Sequence, residues 1–329
     1  MSRLAWMVIA LAGLVSPALA QTKVETVCEG LNNPTGVAIQ PNTGHVYVAE
    51  SGAQRIVRIV DGKPQEVITG FDKDVYGKEP AINIGPLGLA FFEESLVVGD
   101  GGRLDGEDEL LVFTLPKPGE PAIAIDQAKF RFALPAKGDT PGEGNFHGVA
   151  VAKQGIYVTC HGDDAQGWIA KANTNGTKVE GFTRHIATKP AVQVNAPLGI
   201  AISPRGEIVV GQGGKIDVAG DGLVSFYSAR TGQLWANFET GLYDATGLAY
   251  SPRGQLYAVD FAWMDTAKGG LYQLVADRRE NLQAVKAQLV TPLVRPTAMA
   301  FAPDGALYIT LLGEPNTSSG KLVRIAPGL

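Results

Sequence analysis

The chain has 329 residues, of which 45% are hydrophobic, and its 28 basic and 33 acidic residues give a formal charge of −5. This length and apolar content suit one large all-β domain or two ordinary domains. The basic residues do not form a cluster, so a nucleic-acid partner is not expected.

The first predicted element is a secretory signal peptide at residues 1–20. Arg3 precedes twelve apolar residues at 4–15, and the small residues Ala18 and Ala20 mark a cleavage site after Ala20. Twelve apolar residues are too few for a membrane-spanning helix, which takes about 20. We therefore expect residues 21–329 to form a single secreted or periplasmic domain without a membrane span.

A short phrase, Pro-x-Gly-aliphatic-Ala in its commonest form, recurs six times along the rest of the chain. Its central positions follow one another at spacings of 52, 60, 51, 48 and 51 residues: Gly36, Gly88, Gly148, Gly199, Gly247 and Ala298. A period near 50 residues, with several short strands in each repeat, is typical of a β-propeller. The repeat therefore predicts one ring-shaped domain.

Each repeat continues with the same series of predicted strands. A Pro–Gly turn such as residues 203–206 leads to a second strand rich in Val, Ile and Tyr, followed by a third strand and a weaker fourth. The sixth repeat ends at its third strand, and residues 23–28 resemble the fourth strands. We predict an all-β, six-bladed β-propeller of four-stranded blades, whose ring is closed by the N-terminal strand pairing with the last blade at residues 321–325.

The chain contains two cysteines, Cys28 and Cys160. The repeat places Cys28 on an outer strand of the last blade and Cys160 near the channel in blade 3. This separation exceeds the roughly 7 Å between Cα atoms that a disulfide allows, so we expect both thiols to stay unpaired.

The repeated phrase, the Pro-x-Gly turns and the strand ending Tyr-Val-Ala-Glu50 resemble the six-bladed propellers of the NHL and regucalcin/gluconolactonase-like group. The resemblance covers nearly all of residues 21–329. It implies the fold directly but leaves the activity open, because one fold hosts many functions.

Polar residues recur where the predicted first strands begin and the second strands end. Both places lie on one face of the disc, so these side chains are expected at the channel mouth. Before or at the start of first strands are Asn145, His147, Asn195, Asp244 and Arg295, and at the ends of second strands are Glu50, Asp100, His161, Gln212 and Asp260. The carboxylates Glu50, Asp100, Asp244 and Asp260 suit a hard cation such as Ca²⁺. Alternatively, they solvate a water-filled channel and cap strand ends.

Blade 3 has the most distinctive composition at the mouth. The predicted hairpin brings His147 close to His161, and Asp163 and Asp164 follow directly. Two imidazoles with carboxylates can bind Zn²⁺ or provide a general base. The alternative is a pair of hydrogen-bonded loop histidines.

Two long predicted loops, residues 71–85 and 135–145, lead into blades 2 and 3 on the same face. They are expected to form its rim or lid. Trp263, in the loop after the second strand of blade 5, adds an aromatic surface that can stack on a sugar or fill a gap between blades.

Three functions remain open at this point. The resemblance to gluconolactonases implies metal-assisted hydrolysis of a lactone or ester. In this hypothesis His147, His161 and Asp244 are catalytic, and one divalent cation, Ca²⁺ or Zn²⁺, is the possible cofactor. Ligand-binding residues would be Asn145, Asn195, Gln212, Trp263 and Arg295. The alternative is a non-enzymatic NHL-like module that binds a protein or glycan at its loop face, and the third is a quinone-dependent sugar dehydrogenase that uses a histidine with Arg295.

Overall fold

The computed structural model describes residues 22–161, 166–216 and 218–329. The predicted signal peptide and the blade-3 carboxylates Asp163 and Asp164 lie outside the described residues. Within those ranges, no helix combines the length and hydropathy that crossing a membrane requires.

Six antiparallel sheets form the six blades of a β-propeller, and the strands of each blade follow one another from the axis outward. Blades 1 and 2 contain Pro34–Ile39, Val46–Glu50, Arg55–Val60 and Lys63–Thr69, then Pro86–Phe92, Ser95–Asp100, Glu109–Thr114 and Phe130–Ala133. Blades 3 and 4 contain Phe146–Ala152, Gly155–Cys160, Trp168–Asn175 and Lys178–Ala187, then Pro197–Ile202, Glu207–Gln212, Leu223–Ser228 and Leu234–Glu239. Blades 5 and 6 contain Ala245–Tyr250, Leu256–Asp260, Gly270–Arg279 and Leu282–Pro292, then Pro296–Phe301, Leu307–Leu311, Gly320–Ile325 and Val24–Leu31.

The first strand of each blade contacts the first strands of both neighbouring blades, which places all six around the axis. The connecting loops carry the helix Thr188–Val192 and three 3-10 turns, Ser51–Ala53, Ile125–Gln127 and Thr266–Lys268. They also contain one hairpin and one short additional strand, which the sequence does not predict. The hairpin pairs Asp74–Tyr76 with Ile82–Ile84, and the strand Ile123–Ala124 lies parallel to the fourth strand of blade 1.

The apolar core consists mainly of six clusters, each filling the space between two neighbouring blades. Successive residues of a strand point to opposite faces of its sheet. In blade 2, Leu96 and Val98 therefore pack against blade 1, while Val97 packs against blade 3. Because both faces of every blade are covered, the second strands are continuous apolar runs rather than alternating ones.

The ring closes as predicted. Val24–Leu31 forms the outer strand of blade 6 and pairs antiparallel with Gly320–Ile325, with Val24 opposite Ile325. At the same seam, the Thr297 hydroxyl donates a hydrogen bond to the Pro34 carbonyl at 2.7 Å, which links blade 6 to blade 1 near the axis. The two ends of the described chain are thus held in a single sheet.

The cysteines also lie where the repeat places them. Cys28 is on the outer strand of blade 6 and Cys160 is at the end of the second strand of blade 3. Both are buried and neither forms a disulfide. Burial raises the pKa of both thiols, so neither has the character of a reactive thiolate.

In blades 1 to 3, the central glycine of the repeated phrase is required by the close approach of the next blade. A Cβ atom on Gly36 would lie 2.1 Å from the Leu87 carbonyl oxygen, and one on Gly88 or Gly148 would lie 2.5 Å from the corresponding carbonyl of the following blade. The obstructing atoms are backbone, so they cannot move aside without shifting a whole strand.

The substitution Gly36→Ala is therefore expected to lower the free energy of unfolding by about 3 kcal/mol, since blades 1 and 2 must separate to accept the methyl group. Urea unfolding measures the change. Position 298 holds alanine naturally, so Ala298→Gly is the matched control, with an expected loss of about 1 kcal/mol. Equal unfolding midpoints for Gly36→Ala and the parent chain would contradict this account of the repeat.

Candidate functional site

A cavity of about 820 Å³ opens on the face where first strands begin and second strands end. Its floor contains one residue from each blade, always the residue before the central position of the repeated phrase. We call these six residues the floor ring: Thr35, Leu87, His147, Leu198, Thr246 and Thr297. The predicted location of the site at this mouth therefore coincides with the cavity.

The three threonines of the floor ring join neighbouring blades. Thr35 donates to the Pro86 carbonyl at 2.9 Å, Thr246 to the Pro296 carbonyl at 3.0 Å, and Thr297 to the Pro34 carbonyl at 2.7 Å. The three hydroxyl groups therefore donate hydrogen bonds to neighbouring blades rather than to a ligand. Among the six ring positions, His147 is the one ionisable side chain.

The imidazole of His147 is held in its neutral form. Burial lowers the pKa of its imidazole to about 4, the nearby charge of His161 acts in the same direction, and a hydrogen bond with the Leu198 backbone opposes the shift. The ring is therefore neutral at pH 7. Its Nδ1 atom is buried and has no hydrogen-bond partner among the described residues.

His161 lies at the end of the second strand of blade 3, and its backbone N–H donates to the Asn145 carbonyl at 3.2 Å. Its Nε2 atom lies 2.7 Å from the hydroxyl oxygen of Tyr76. Both His147 and His161 line the cavity, as the hairpin in blade 3 predicts.

Tyr76 belongs to a segment, residues 74–84, that we call the mouth hairpin. It starts between blades 1 and 2 and reaches over the cavity to blades 3 and 5. The Tyr76 ring stacks edge-on against Trp263 with 5.7 Å between centroids, and the Trp263 indole N–H donates to the Glu79 carbonyl at 3.3 Å. The expected rim loop at residues 71–85 is thus confirmed as part of the cavity wall.

Two asparagines hold the mouth hairpin in place. The Asn316 Oδ1 atom accepts a hydrogen bond from the Asn83 backbone N–H at 2.7 Å, and its Nδ2 donates to the Ala81 carbonyl at 2.8 Å. The buried Asn33 donates to the same Oδ1 at 3.1 Å and accepts from the Asn316 backbone N–H at 3.0 Å. Blades 1 and 6 therefore fix the hairpin jointly.

The substitution Asn316→Gly is expected to free the mouth hairpin. Asn316 has φ +59°, which glycine adopts without strain, so the variant removes three side-chain hydrogen bonds and little else. Each bond contributes about 1 kcal/mol, so hydrogen exchange at residues 76–83 should accelerate at least tenfold. Asn175→Gly, in an outer hairpin of blade 3, is the control, and equal exchange in both variants would contradict the role of Asn316.

Asp244 is the carboxylate of the predicted set that lines the cavity. Its Oδ2 accepts the Trp263 backbone N–H at 2.7 Å. Burial raises the pKa of Asp244 to about 6, the hydrogen bond from Trp263 lowers it, and the charges of Asp260 and Asp221 raise it. Asp260 lies behind it and accepts backbone N–H groups from Tyr243 and Asp244 at 2.9 and 2.7 Å, which fixes the loop that carries Asp244.

Asn145, Asn195 and Trp263 also line the cavity, whereas five predicted site residues do not: Glu50, Asp100, Gln212, Asp260 and Arg295. The four of these residues that lie at the ends of second strands bond to neighbouring protein groups or are buried instead. Glu50 accepts from the Asn32 N–H and from Arg55, both at 2.8 Å, and Gln212 donates to the Val194 carbonyl at 2.7 Å. Asp100 is fully buried, and burial raises its pKa to about 6. Arg295 donates to the Gly313 carbonyl at 3.2 Å and pairs with Glu314 at the same distance.

The predicted cation ligands are consequently distributed around the ring. In the part of the chain that the structure describes, no group of three or more His, Cys, Asp or Glu side chains is arranged to hold a metal ion. Asp244 alone of the four proposed carboxylates lines the cavity, so these residues do not form the oxygen-rich shell that Ca²⁺ takes.

Several lining residues were not identified from the sequence as site residues. Tyr76, Leu87, Lys189 and Asp221 all line the cavity. The floor ring could have been found from the repeat, because the variable residue before each central glycine occupies the same place in every blade. Tyr76 offers no such pattern, since the mouth hairpin occurs between one pair of blades.

Comparisons with known proteins identify the architecture. No family model matches the chain, and no curated protein matches it. Among solved structures, it is similar to a Thermus thermophilus oxidoreductase that carries the name glucose dehydrogenase, with 19% identity, a TM-score of 0.63, and coverage of 92% of this chain and 99% of that one.

The PQQ-bound aldose sugar dehydrogenase of Streptomyces coelicolor has a TM-score of 0.63 at 14% identity, with 93% and 98% of the two chains covered. A gluconolactonase of Xanthomonas campestris has a TM-score of 0.61 at 14% identity, with 94% and 91% covered. At these identities the likeness concerns the fold, and it shows that this chain is a six-bladed β-propeller of the architecture shared by gluconolactonases and sugar dehydrogenases.

Proposed function

We propose that this chain is an enzyme that acts on a small molecule inside the mouth cavity, with His147 as its general base. The observation that carries the proposal is the state of His147, whose side chain lines the cavity and whose imidazole is neutral at pH 7. A neutral imidazole that lines a cavity has a ring nitrogen lone pair, which can take a proton from a bound water molecule or hydroxyl group.

The reaction that we favour is hydrolysis of a lactone or ester. His147 takes a proton from a water molecule as the water oxygen attacks the carbonyl carbon. The carbon–oxygen bond to the leaving alcohol then breaks, and protonated His147 returns that proton to the alcohol oxygen. Asn145 and Asn195 line the cavity and supply side-chain amides for polar groups of the substrate. A screen of lactones and esters at constant pH, with released acid as the readout, tests the proposal.

The hydrolysis rate is expected to be level at neutral pH and to fall as the pH decreases through about 4, because only neutral His147 can accept a proton. The initial rate between pH 3.5 and 8 measures this profile, with circular dichroism at each pH to confirm that the chain stays folded. A rate that falls between pH 7 and 6 instead would contradict His147 as the base and point to a group that titrates there, such as Asp244 with its pKa of about 6.

A quinone-dependent sugar dehydrogenase is the second candidate, supported by the fold shared with two sugar dehydrogenases. A neutral His147 would serve equally well to take a proton from a sugar hydroxyl. Arg295, which this hypothesis pairs with the histidine, lies away from the cavity and is bound to Gly313 and Glu314. Reconstitution with PQQ and a sugar, with dye reduction as the readout, separates this activity from hydrolysis, and inactivity in both assays would favour the binding-module hypothesis.

Export of the chain and binding of a divalent cation are two further parts of the proposal. The predicted signal peptide at residues 1–20 would direct the chain to the periplasm or out of the cell, and N-terminal sequencing of the exported protein tests cleavage after Ala20. The divalent cation is tested by the metal content of protein purified without chelator. One bound Ca²⁺ or Zn²⁺ per chain that is lost in Asp244→Asn would support it.

A further inference from the structure

The lining of the mouth cavity contains both polar groups and a cluster of apolar side chains. The polar groups include His147 and Asp244. Five apolar side chains, which we call the apolar wall, pack together beside them: Ile82, Ile84, Leu87, Phe261 and Leu312. A site for a uniformly polar ligand, such as an unsubstituted sugar lactone, does not need such a wall.

The apolar wall is one continuous surface. Its five residues come from the mouth hairpin and from blades 2, 5 and 6, yet they form a single cluster. Their exposed fractions are between 2% and 7%, so most of their surface is packed and the remainder faces the cavity. Tyr76 and Trp263 pack against the same cluster and extend it towards the rim.

The wall reaches the proposed base directly. Leu87 and His147 are neighbours in the floor ring, in blades 2 and 3. At the rim, Tyr76 contacts both His161 and Trp263, with ring centroids 5.4 and 5.7 Å away. A ligand whose reactive carbonyl lies at His147 therefore has an apolar surface beside it.

The wall is also formed in advance. Asn33 and Asn316 fix the mouth hairpin, and Phe261 packs on Trp263 with 5.4 Å between ring centroids. A preformed apolar surface binds a flexible chain without first having to be ordered. Cavities of roughly 300–1,000 Å³ hold drug-sized ligands, so a cavity of about 820 Å³ has room for more than a single small ring.

We propose that the ligand is amphipathic: a lactone or ester head with an unbranched alkyl chain, in which the head lies at His147 and the chain lies along the apolar wall. This inference rests on the proposed function for the nature of the head. The alkyl subsite itself is defined by the apolar wall. Binding of the alkyl chain can be measured without turnover of the ligand.

The test uses lactams of one ring size with alkyl chains of increasing length, because an amide ring resists hydrolysis and reports binding alone. Each added methylene group should lower Kd about fourfold until the wall is covered. A polyhydroxylated lactam of the same ring should bind no more tightly than the shortest member. Isothermal titration calorimetry on the full chain gives Kd for each compound.

Two substitutions test whether the alkyl chain of the ligand lies along the apolar wall. Ile84→Thr and Leu312→Ala should each reduce the dependence of Kd on chain length, the first by placing a hydroxyl in the wall and the second by shortening it. Trp235→Ser, at an exposed aromatic outside the cavity, should leave that dependence unchanged. Melting temperatures of all three identify any variant that fails to fold, and either wall variant suffices for the comparison.

The outcomes separate the subsite from the reaction. Chain-length dependence that is lost in a wall variant supports the alkyl subsite, even if no lactone is hydrolysed. The same Kd for every chain length, or a dependence that survives both wall substitutions, overturns the subsite whether or not lactones are hydrolysed. Hydrolysis of long-chain lactones in preference to hydroxylated ones would support both proposals together.

Discussion

A chain that begins at Asn32 is expected not to fold. Without residues 22–31, blade 6 loses its outer strand and the buried side chains of Cys28 and Leu31, of which Leu31 alone contributes about 3 kcal/mol. The third strand of blade 6 becomes an unpaired edge with its apolar Leu322 uncovered. The free energy of unfolding lost with these contacts approaches the whole net stability of a typical domain, about 5–15 kcal/mol.

The matched parent is the chain that begins at Thr22, and both are compared by circular dichroism and thermal unfolding. Lys321→Ala serves as a second control, since it removes only an exposed ion pair to Glu29 in the same strand pair and should change stability by less than about 1 kcal/mol. If the shortened chain melted at the same temperature as the parent, closure by the N-terminal strand would not contribute to stability.

The substitution His147→Gln is expected to lower kcat/KM for the preferred substrate by about 10²–10⁴-fold, the usual contribution of a general base. Glutamine keeps a polar side chain of similar volume at this place in the floor ring, and its amide can replace the hydrogen bond that the imidazole makes with the Leu198 backbone. The melting temperature should therefore change little while activity falls.

His185→Gln is the matched control. His185 is also a partly buried histidine whose pKa is lowered by burial, but it packs against Tyr157 at the edge of blade 3, with 5.8 Å between ring centroids, and does not line the cavity. Full activity in His185→Gln with strong loss in His147→Gln would assign the base. Equal activity in both variants would contradict the role of His147.

The fold could be predicted because the repeated phrase occupies the same structural position in every blade. The spacing of Gly36, Gly88 and their equivalents reflects the need for close contact between neighbouring blades, and the apolar second strands reflect burial on both faces. Closure by residues 23–28 followed from counting strands. Each of these features depends on short-range sequence patterns.

The site could be predicted in part. The strand ends were placed on the correct face, but Glu50 and Gln212 turn back to bind loop backbone groups, because buried strand ends leave N–H and carbonyl groups that need partners. Sequence position alone does not decide whether a side chain at a strand end points into the cavity or bonds to a neighbouring loop. Tyr76 could not be found, because its place at the mouth depends on contacts with blades 3 and 5, far away in the chain.

The closure seam has a mechanical consequence. Val24 pairs with Ile325, so both ends of the described chain leave blade 6 at the same end of one antiparallel strand pair. Tension applied to the two ends would load the hydrogen bonds of this pair one after another, as in opening a zipper, rather than all together in shear. Asn33 and Asn316, which hold the mouth hairpin, lie on the two sides of this seam. Opening the strand pair to its far end would thus reach the two asparagines that anchor the mouth hairpin.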